Sequence, residues 1–232
     1  MKSYILFIDT EASGLPKKWN VAYSQNGNWP YVVQLSWVIC TTEGEEVKHE
    51  DYYISDTDFK TTGAALRIHG ITDEFRQREG AARRSVMSAL ADDLRKYNPL
   101  LVGHFIELDL HLIGAEFFRT GLDNPALTLP SFCTMMATTQ YVRNPQVNYL
   151  RLGELYSTLF YRKLENQHNS LADARATADC FFELIRRGDI TEEKIHGQKE
   201  AMARVQLESR RLGYGIPVLL IFLLTVLMAF LL

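Results

Sequence analysis

The most constraining feature of this sequence is an apolar run close to its start, which ends abruptly at two carboxylates. Residues 4–8 read YILFI, and the chain continues directly into Asp9-Thr10-Glu11. A short run that is apolar at every position is typical of a strand buried on both faces, so we predict a strand over Ser3–Ile8. Side chains two apart on a strand project to the same side, and the two carboxylates should therefore leave the strand's end together.

Two carboxylates held this close repel each other and raise each other's pKa unless a cation lies between them. The pair of Asp9 and Glu11 therefore favours a hard divalent cation such as Mg²⁺, which prefers oxygen ligands. The motif D-x-E has an alternative explanation, in which both side chains are simply solvated where the strand meets a loop. Other residues have to decide between these two interpretations.

Strand and helix patterns alternate along the rest of the chain. Its 232 residues, of which 47% are hydrophobic and 23% charged, are enough for one substantial core with an appendage. The pattern predicts four further strands over Tyr31–Thr42, Glu46–Ile54, Leu100–Val102 and Ser131–Met135. It predicts helices over Ser85–Tyr97, Leu108–Thr120, Leu150–Phe160 and Leu171–Arg187. The fold class is therefore α/β.

Cysteine content and charge exclude several classes of protein. The three cysteines lie far apart and lack CxxC spacing, which argues against a disulfide framework or a structural zinc site and indicates a reducing compartment. The net charge of −3 argues against a protein that coats long stretches of duplex nucleic acid. An enzyme that grips only a strand end is compatible with this charge.

Three further residues carry candidate chemistry. Asp109 lies in the first turn of a predicted helix, Asp173 lies in the first turn of a later one, and His168 precedes Asp173 by five residues. Each has a structural alternative. An acidic residue in a first turn complements the helix dipole, and Ser170 with Asp173 fits a capping box that would leave His168 an ordinary loop residue.

Four short motifs follow one another in a specific order between residues 4 and 187. They are Asp9-Thr10-Glu11 with Gly14-Leu15-Pro16, Ile68-His69-Gly70-Ile71-Thr72, Val102-Gly103-His104 leading to Asp109, and His168 with Asp173, Ala176 and Thr177. Together they resemble the DEDDh 3′→5′ exonucleases of the DnaQ-like group. The resemblance implies an RNase H-like fold, in which helices flank a mixed central sheet. This chain departs from the family at Phe105, where an Asn usually follows the His of the third motif.

The resemblance also implies a metal-dependent 3′→5′ exonuclease that acts on single-stranded or frayed 3′ ends. Asp9, Glu11, Asp109 and Asp173 would hold two Mg²⁺ ions, for which Mn²⁺ can substitute, and His168 would be the general base. The expected substrate contacts are Thr10, Ala12, Gly14, Leu15 and His69. DNA is the expected substrate, and an exoribonuclease of the same fold is the first alternative. A non-catalytic nucleic-acid-binding domain or membrane adaptor is the second, and a homodimer is left open.

The loop Lys17–Pro30 is longer than in the simplest members of that family. It contains two lysines, Lys17 and Lys18, and two tryptophans, Trp19 and Trp29. Two interpretations are open, since these side chains either reach nucleic acid or cover the sheet.

The last 20 residues differ from the rest of the chain. They read GYGIPVLLIFLLTVLMAFLL, and Ile216–Leu232 contains no charged residue. About 17 apolar residues are the lower limit for a helix that spans a bilayer. Because Arg210 and Arg211 precede the segment, the positive-inside rule predicts a single-pass C-terminal anchor with the preceding domain in the cytoplasm. A buried core helix is the alternative, although such a helix is rarely apolar on every face.

These observations divide the chain into an exonuclease domain over residues 1–188, a helical stalk over 189–212 and a transmembrane anchor over 213–232. The stalk contains the charged helix predicted over Glu192–Leu212.

We predict that the full-length protein sediments with membranes and stays there through washes with high salt or carbonate, because its attraction to the bilayer is hydrophobic. A chain that ends at Arg211 should be soluble and keep its activity, since every candidate catalytic residue lies at or before Asp173. Cell fractionation followed by a nuclease assay of both chains makes the measurement. A full-length chain that is soluble without detergent, or a truncated chain that does not fold, would contradict the anchor.

Overall fold

The computed structural model describes residues 3–198 and has a five-stranded mixed sheet at its centre. The strands are β1 (Tyr4–Ala12), β2 (Val32–Thr41), β3 (Glu46–Tyr53), β4 (Leu100–Gly103) and β5 (Ser131–Cys133). Their order across the sheet is β3-β2-β1-β4-β5. The first three strands form an antiparallel meander, and β4 and β5 run parallel to β1.

Seven α-helices lie wholly within the described part of the chain, and residues 192–198 are also helical. The seven helices are α1 (Gly63–His69), α2 (Asp73–Glu79), α3 (Arg83–Tyr97), α4 (Ile106–Thr120), α5 (Thr134–Ala137), α6 (Leu152–Phe160) and α7 (Ser170–Arg186). Short 3₁₀ turns cover Pro125–Thr128 and Thr139–Tyr141. Within residues 3–198, no helix is long and apolar enough to cross a membrane.

Strand β1 lies at the centre of the sheet and divides the core into two layers. Its odd-numbered side chains Ile5 and Phe7 pack with Phe181 of α7 on one face. The even-numbered Leu6 and Ile8 belong to the other layer, which contains α3 and α4. All four strand residues are at most 1% exposed. The predicted strand buried on both faces is therefore confirmed, and so is the mixed central sheet flanked by helices.

The predicted end of β1 at Ile8 is wrong, because the strand continues to Ala12. Asp9 and Glu11 therefore lie within the strand, and both residues pair with β2. The apolar pattern stops before the strand does, since a polar residue near the rim of a sheet still makes backbone hydrogen bonds. The strand predicted over Ser131–Met135 ends at Cys133, because helix α5 begins at Thr134. The other predicted strands and helices that end before residue 188 are confirmed with small shifts of their ends.

Helices α1, α2 and α5 were not predicted from the sequence, and the second motif is the junction between α1 and α2. Gly70 ends α1 with a left-handed backbone, at φ 71°, and its N–H bonds the carbonyl of Leu66. Thr72 caps α2, because its hydroxyl accepts a hydrogen bond from the N–H of Phe75. Glycine tolerates the left-handed region and threonine is a good N-cap, so the motif holds His69 at a fixed turn between two short helices.

The end of the described chain packs on the domain. Ile190 is 3% exposed, and residues 192–198 are helical. The side-chain amide of Gln198 pairs with the backbone of Cys133 in the edge strand β5, through bonds of 2.9 and 3.2 Å. This part of the predicted stalk therefore contacts the folded unit. The remainder of the stalk and the anchor segment 213–232 lie outside the described residues.

Glu116 is a buried carboxylate that joins four parts of the fold. It is 0% exposed, and its Oε1 accepts hydrogen bonds from the N–H of Val32 in β2 and from Arg119, at 2.9 and 2.8 Å. Its Oε2 lies 2.9 Å from Nε of Arg83 in α3. Burial raises the pKa of Glu116, and the two arginines oppose that rise. Arg119 also donates to the carbonyl of Trp29, so the network ties the long loop to α4.

We predict that Glu116→Ala lowers the free energy of unfolding by about 3 kcal/mol, because it removes the carboxylate that pairs with Arg119 and one of those that pair with the buried Arg83. Urea titration of the purified protein, followed by circular dichroism, measures the change. Glu79→Ala is the matched control, since its ion pair with Arg78 is exposed and should contribute less than about 1 kcal/mol. Equal stability of the two variants would show that the contacts of Glu116 do not stabilise the fold.

Candidate active site

Four carboxylates from three elements meet at one end of the sheet. Asp9 and Glu11 follow Ile5 and Phe7 in the odd-numbered register of β1, and so face the side of the sheet that α7 covers. Asp173 lies in the first turn of α7, and Asp109 in the first turn of α4. Glu11, Asp109 and Asp173 are each at most 9% exposed. The structure therefore brings together all four predicted metal ligands, which are up to 164 residues apart in the sequence.

Burial raises the pKa of all four carboxyl groups, and repulsion between them adds to the rise at Asp9 and Glu11. The pKa of Glu11 rises to about 8, that of Asp109 to about 7 and that of Asp173 to about 6. The pKa of Asp9 lies well above 3.8 because of burial and because of the charges of the other three. The cluster therefore holds its charge poorly unless protons or cations neutralise it.

Thr10 holds Asp109 in place. It points to the opposite side of β1 from Asp9 and Glu11, and its hydroxyl donates a hydrogen bond of 2.7 Å to Oδ1 of Asp109. This bond lowers the pKa of Asp109 and so counteracts part of the effect of burial. The hydroxyl of Thr10, which the resemblance assigns to the substrate, is thus occupied by a carboxylate of the cluster.

Asp173 has one paired and one unpaired carboxylate oxygen. Its Oδ2 accepts a hydrogen bond of 2.9 Å from the backbone N–H of His168, while its buried Oδ1 has no partner among the described residues. Ser170 and Asp173 do not form the capping box that was the structural alternative for Asp173. Asn169 is the N-cap of α7, because its side chain accepts from the N–H of Ala172. Asp173 is therefore free to turn one oxygen toward the cluster.

His168 stands at the edge of the cluster on a tightly turned loop. Its backbone is left-handed, at φ 65°. Residues other than glycine rarely adopt this conformation, and those that do are often found at functional sites. A ring nitrogen of His168 lies within 4.8 Å of a carboxylate oxygen of both Glu11 and Asp173. Although the side chain is largely exposed, partial burial and the charge of Arg151 lower its pKa below 6.5. The neutral imidazole, which can accept a proton, therefore predominates at pH 7.

A cleft of about 610 Å³ lies beside His168, and His69 forms part of its wall. The N–H of Ile71 donates to Nδ1 of His69 at 3.0 Å, so the ring proton of the neutral imidazole is on Nε2. That Nε2 is buried, and a hydrogen bond with the backbone of Ala12 raises the pKa of His69 against the effect of burial. The ring of His69 is therefore tied to the end of β1 at Ala12, where the other expected substrate contacts lie.

The remaining expected substrate contacts follow the end of β1. Leu15 is 57% exposed, so an apolar side chain stands free next to the cluster. Ala12 and Gly14 are partly exposed. A Cβ on Gly14 would meet Thr62 at 3.4 Å, an ordinary contact, so the described structure does not itself require glycine here.

Three other residues at the site were not predicted from the sequence to have a functional role. Arg151 acts on the pKa of His168, and the buried hydroxyl of Thr177, one turn after Asp173, has no partner among the described residues. His104 ties β4 to later elements, because its Nε2 donates to the carbonyl of Leu150 and its Nδ1 contacts Thr134. The spacing of Asp173 and Thr177 is a readable signal, since residues four apart share a helix face. Arg151 offers no such signal.

The residues present fit a divalent cation. The donors are carboxylate oxygens, which Mg²⁺ and Mn²⁺ prefer, and one of them, Oδ1 of Asp173, is buried and has no partner within residues 3–198. Carboxylate oxygens of Glu11 and Asp173 lie within 4.8 Å of each other. A cation would also relieve the repulsion that raises the pKa of Asp9 and Glu11.

The sequence also assigns the chain to a family. The RNase T family model, whose description is "Exonuclease", matches residues 6–181, a span that includes the whole carboxylate cluster. The chain therefore belongs to this exonuclease family, whose members are nucleases that act on nucleic acid. A search of curated proteins found no match.

Solved structures of E. coli exonuclease I have the same fold. Its complex with a dA16 oligonucleotide aligns with a TM-score of 0.65 and 18% identity, over 80% of this chain and 41% of that one. The zinc-bound form of its complex with single-stranded DNA aligns with a TM-score of 0.64 and 16% identity, over 85% and 43%. This chain spans less than half the length of exonuclease I, and identities this low establish the fold alone.

We predict that metal-free protein loses stability as the pH rises from about 4.5 to about 8. Over this range folded Glu11, with its pKa of about 8, keeps a proton that the unfolded chain releases, so a higher pH favours unfolding. Glu11→Gln should therefore be more stable than wild type at pH 8 by at least about 1.4 kcal/mol, which corresponds to one pKa unit.

Thermal unfolding with chelator between pH 4 and 8.5 tests this expectation. The advantage of Glu11→Gln should vanish near pH 4 and should shrink when Mg²⁺ is added, because the cation stabilises only the wild-type cluster. Wild-type stability that does not change with pH would show that burial and repulsion do not raise the pKa of these carboxyl groups in the folded protein.

Proposed function

We propose that this protein is a divalent-metal-dependent 3′→5′ exonuclease that removes nucleotides from the 3′ ends of single-stranded DNA. One observation carries the proposal, namely that four carboxylates from three of the four sequence motifs meet beside a neutral histidine. A binding domain has no need of such a cluster, because buried like charges destabilise a fold that does not use them.

The histidine supplies the acid–base chemistry in this proposal. His168 is neutral near pH 7, is largely exposed beside the cleft, and lies within 4.8 Å of Glu11 and Asp173. From this position its ring takes a proton from the water that attacks the phosphodiester. The bond from its backbone N–H to Asp173 keeps the base next to the carboxylates. We therefore assign His168 the role of general base rather than ligand.

The carboxylates supply the metal site. Asp9, Glu11, Asp109 and Asp173 would hold two Mg²⁺ ions, which neutralise charge on the phosphodiester and lower the pKa of the attacking water. Thr10 orients Asp109 in this set. His69 contacts the 3′-terminal nucleotide, and Leu15 offers its exposed side chain to the terminal base.

Two further features of the proposal have separate support. The 3′→5′ direction is supported by the order of the four motifs, which is that of the DEDDh enzymes. Single-stranded DNA is supported by exonuclease I, whose structures include complexes with dA16 and dT13 oligonucleotides. We also propose that residues 213–232 tether the nuclease to the cytoplasmic face of a membrane, on the strength of their charge-free sequence and the two preceding arginines.

We predict that the protein with Mg²⁺ shortens a 5′-labelled single strand one nucleotide at a time from its 3′ end. Denaturing gels should show a ladder of labelled products, whereas a 3′-labelled strand should release its label at once as a mononucleotide. Chelator should abolish both reactions, and a circular single strand should stay intact. Parallel strands of DNA and RNA identify the preferred sugar. Cleavage of the circle, or activity in chelator, would refute the proposal.

Three variants assign the residues in this assay. Asp173→Asn should remove detectable activity, and His168→Ala should lower turnover roughly 10²- to 10⁴-fold at neutral pH, the usual contribution of a general base. Asp92→Asn is the control, because this aspartate is exposed on α3. Unfolding curves should show that all three variants fold. Full activity of His168→Ala would remove this residue from the mechanism.

A further inference from the structure

The long loop over residues 17–30 has a well-defined internal structure. The side chain of Asn28 makes two hydrogen bonds with the backbone of Lys18, at 2.9 and 2.8 Å, and so closes the loop across its base. The indole N–H of Trp29 donates to the carbonyl of Val21 at 3.0 Å. These contacts cross the loop, so its conformation is set before any ligand arrives.

The loop is also docked on α4. The ring of Trp29 stacks on His111 at 4.5 Å and 14°, and the hydroxyl of Tyr23 lies 3.2 Å from Nδ1 of the same histidine. Gly114 makes room for this contact, since a Cβ there would lie 2.4 Å from the Tyr23 hydroxyl. Because Trp29 is only 3% exposed, it covers the helix and has no surface left for a ligand.

Trp19 has a different environment from Trp29. Its ring is partly exposed and lies 5.8 Å from the rings of both Phe105 and His111. Phe105 is the N-cap of α4, four residues before Asp109, and His111 lies in α4 two residues after it. The loop therefore places a partly exposed aromatic pair, Trp19 and Phe105, against the helix turn that carries a carboxylate of the cluster.

Phe105 occupies an unusual backbone position. It has a left-handed conformation, at φ 78°, which asparagine tolerates and a bulky aromatic side chain does not favour. Asparagine is the usual residue at this position in the family that the motifs resemble. This chain keeps a strained aromatic residue in contact with Trp19, and such strain is typical of functional sites.

The charge of this surface complements a phosphate backbone. Lys17 and Lys18 are exposed and form no ion pair with any residue that the structure describes. No acidic residue occurs in the sequence between Glu11 and Glu43. The loop is thus a local positive region in a chain whose net charge is −3.

We propose that Lys17, Lys18, Trp19 and Phe105 form a second binding site for single-stranded nucleic acid, which we call the aromatic subsite. Bases next to the 3′-terminal nucleotide stack on the two rings, and the two ammonium groups contact phosphates. Because every base has a face that can stack, the subsite binds strands of any sequence. This proposal rests on the proposed function, since the subsite binds the same nucleic-acid strand whose 3′ end reaches the carboxylates.

A binding experiment tests the subsite without catalysis. The full-length protein in mild detergent with chelator is titrated into a 5′-fluorescein-labelled dT12 strand, and anisotropy gives Kd. Trp19→Ala should raise Kd about 10-fold, the usual effect of losing one stacked base. Phe105→Asn should raise Kd in the same direction and should fold normally, since asparagine accepts the left-handed backbone. Phe118→Ala, which removes another exposed aromatic side chain of α4, should leave Kd unchanged.

The two lysines are tested by salt dependence. Lys17→Glu combined with Lys18→Glu should weaken binding and should reduce the slope of log K against log salt by about 1.4, the value for two phosphate contacts on a single strand. Lys96→Glu is the matched control, because Lys96 lies at the end of α3 beside Tyr97, which packs on Tyr4 at the opposite end of β1 from the carboxylates. An unchanged slope in the double variant would overturn the phosphate contacts.

A minimal substrate separates the subsite from the catalytic cluster. The p-nitrophenyl ester of thymidine 5′-monophosphate is too short to reach the subsite, so Trp19→Ala should hydrolyse it at the wild-type rate while KM for dT12 rises about 10-fold. If Trp19→Ala slows the hydrolysis of both substrates equally, Trp19 acts only by positioning Asp109, and the subsite is refuted. Variants with wild-type Kd and KM also refute it. If wild type hydrolyses neither substrate, the proposed function fails, and the anisotropy measurements still decide whether the subsite exists.

Discussion

The alternation of side chains along β1 is the constraint on which the rest of the structure depends. Odd-numbered residues pack under α7 and even-numbered residues pack toward α3 and α4, so one strand supports both halves of the core. The same alternation continues into the polar end of the strand. Asp9 and Glu11 face the side of α7 and Asp173, while Thr10 faces the other side and bonds Asp109. Two helix layers therefore deliver their carboxylates to one strand end, because that strand has two usable faces.

Two groups of buried charge have opposite consequences for this fold. Around Glu116, each carboxylate oxygen has an arginine within 2.9 Å, so the burial of charge is compensated and four elements are held together. In the candidate site the charges are alike, and burial raises the pKa of every carboxyl group. The first arrangement stabilises the metal-free chain and the second destabilises it. Such an uncompensated cluster is what function requires when a cation is to bind.

The departures from the family pattern fall together in space. The long loop over residues 17–30 docks on α4 through Trp29 and Tyr23, and its Trp19 contacts Phe105, the residue that stands where asparagine is usual. The unusual residue and the longer loop therefore form one feature of this chain. The network of Glu116 and Arg119 holds the end of this loop, which links the stability of the core to the surface beside the site.

The sequence by itself determined the local patterns, which are the buried strand, the amphipathic helices and four motifs with Asp9, Glu11, His168 and Asp173 in order. These could be predicted because periodicity and spacing are properties of neighbouring residues. The short helices α1 and α2 escaped prediction, since two turns carry too little periodicity to stand out. Only the tertiary structure decided which partners meet across long separations, such as the bond of Thr10 to Asp109 and the docking of the loop. The physical reason is that such contacts arise from the packing of whole elements, which no local pattern encodes.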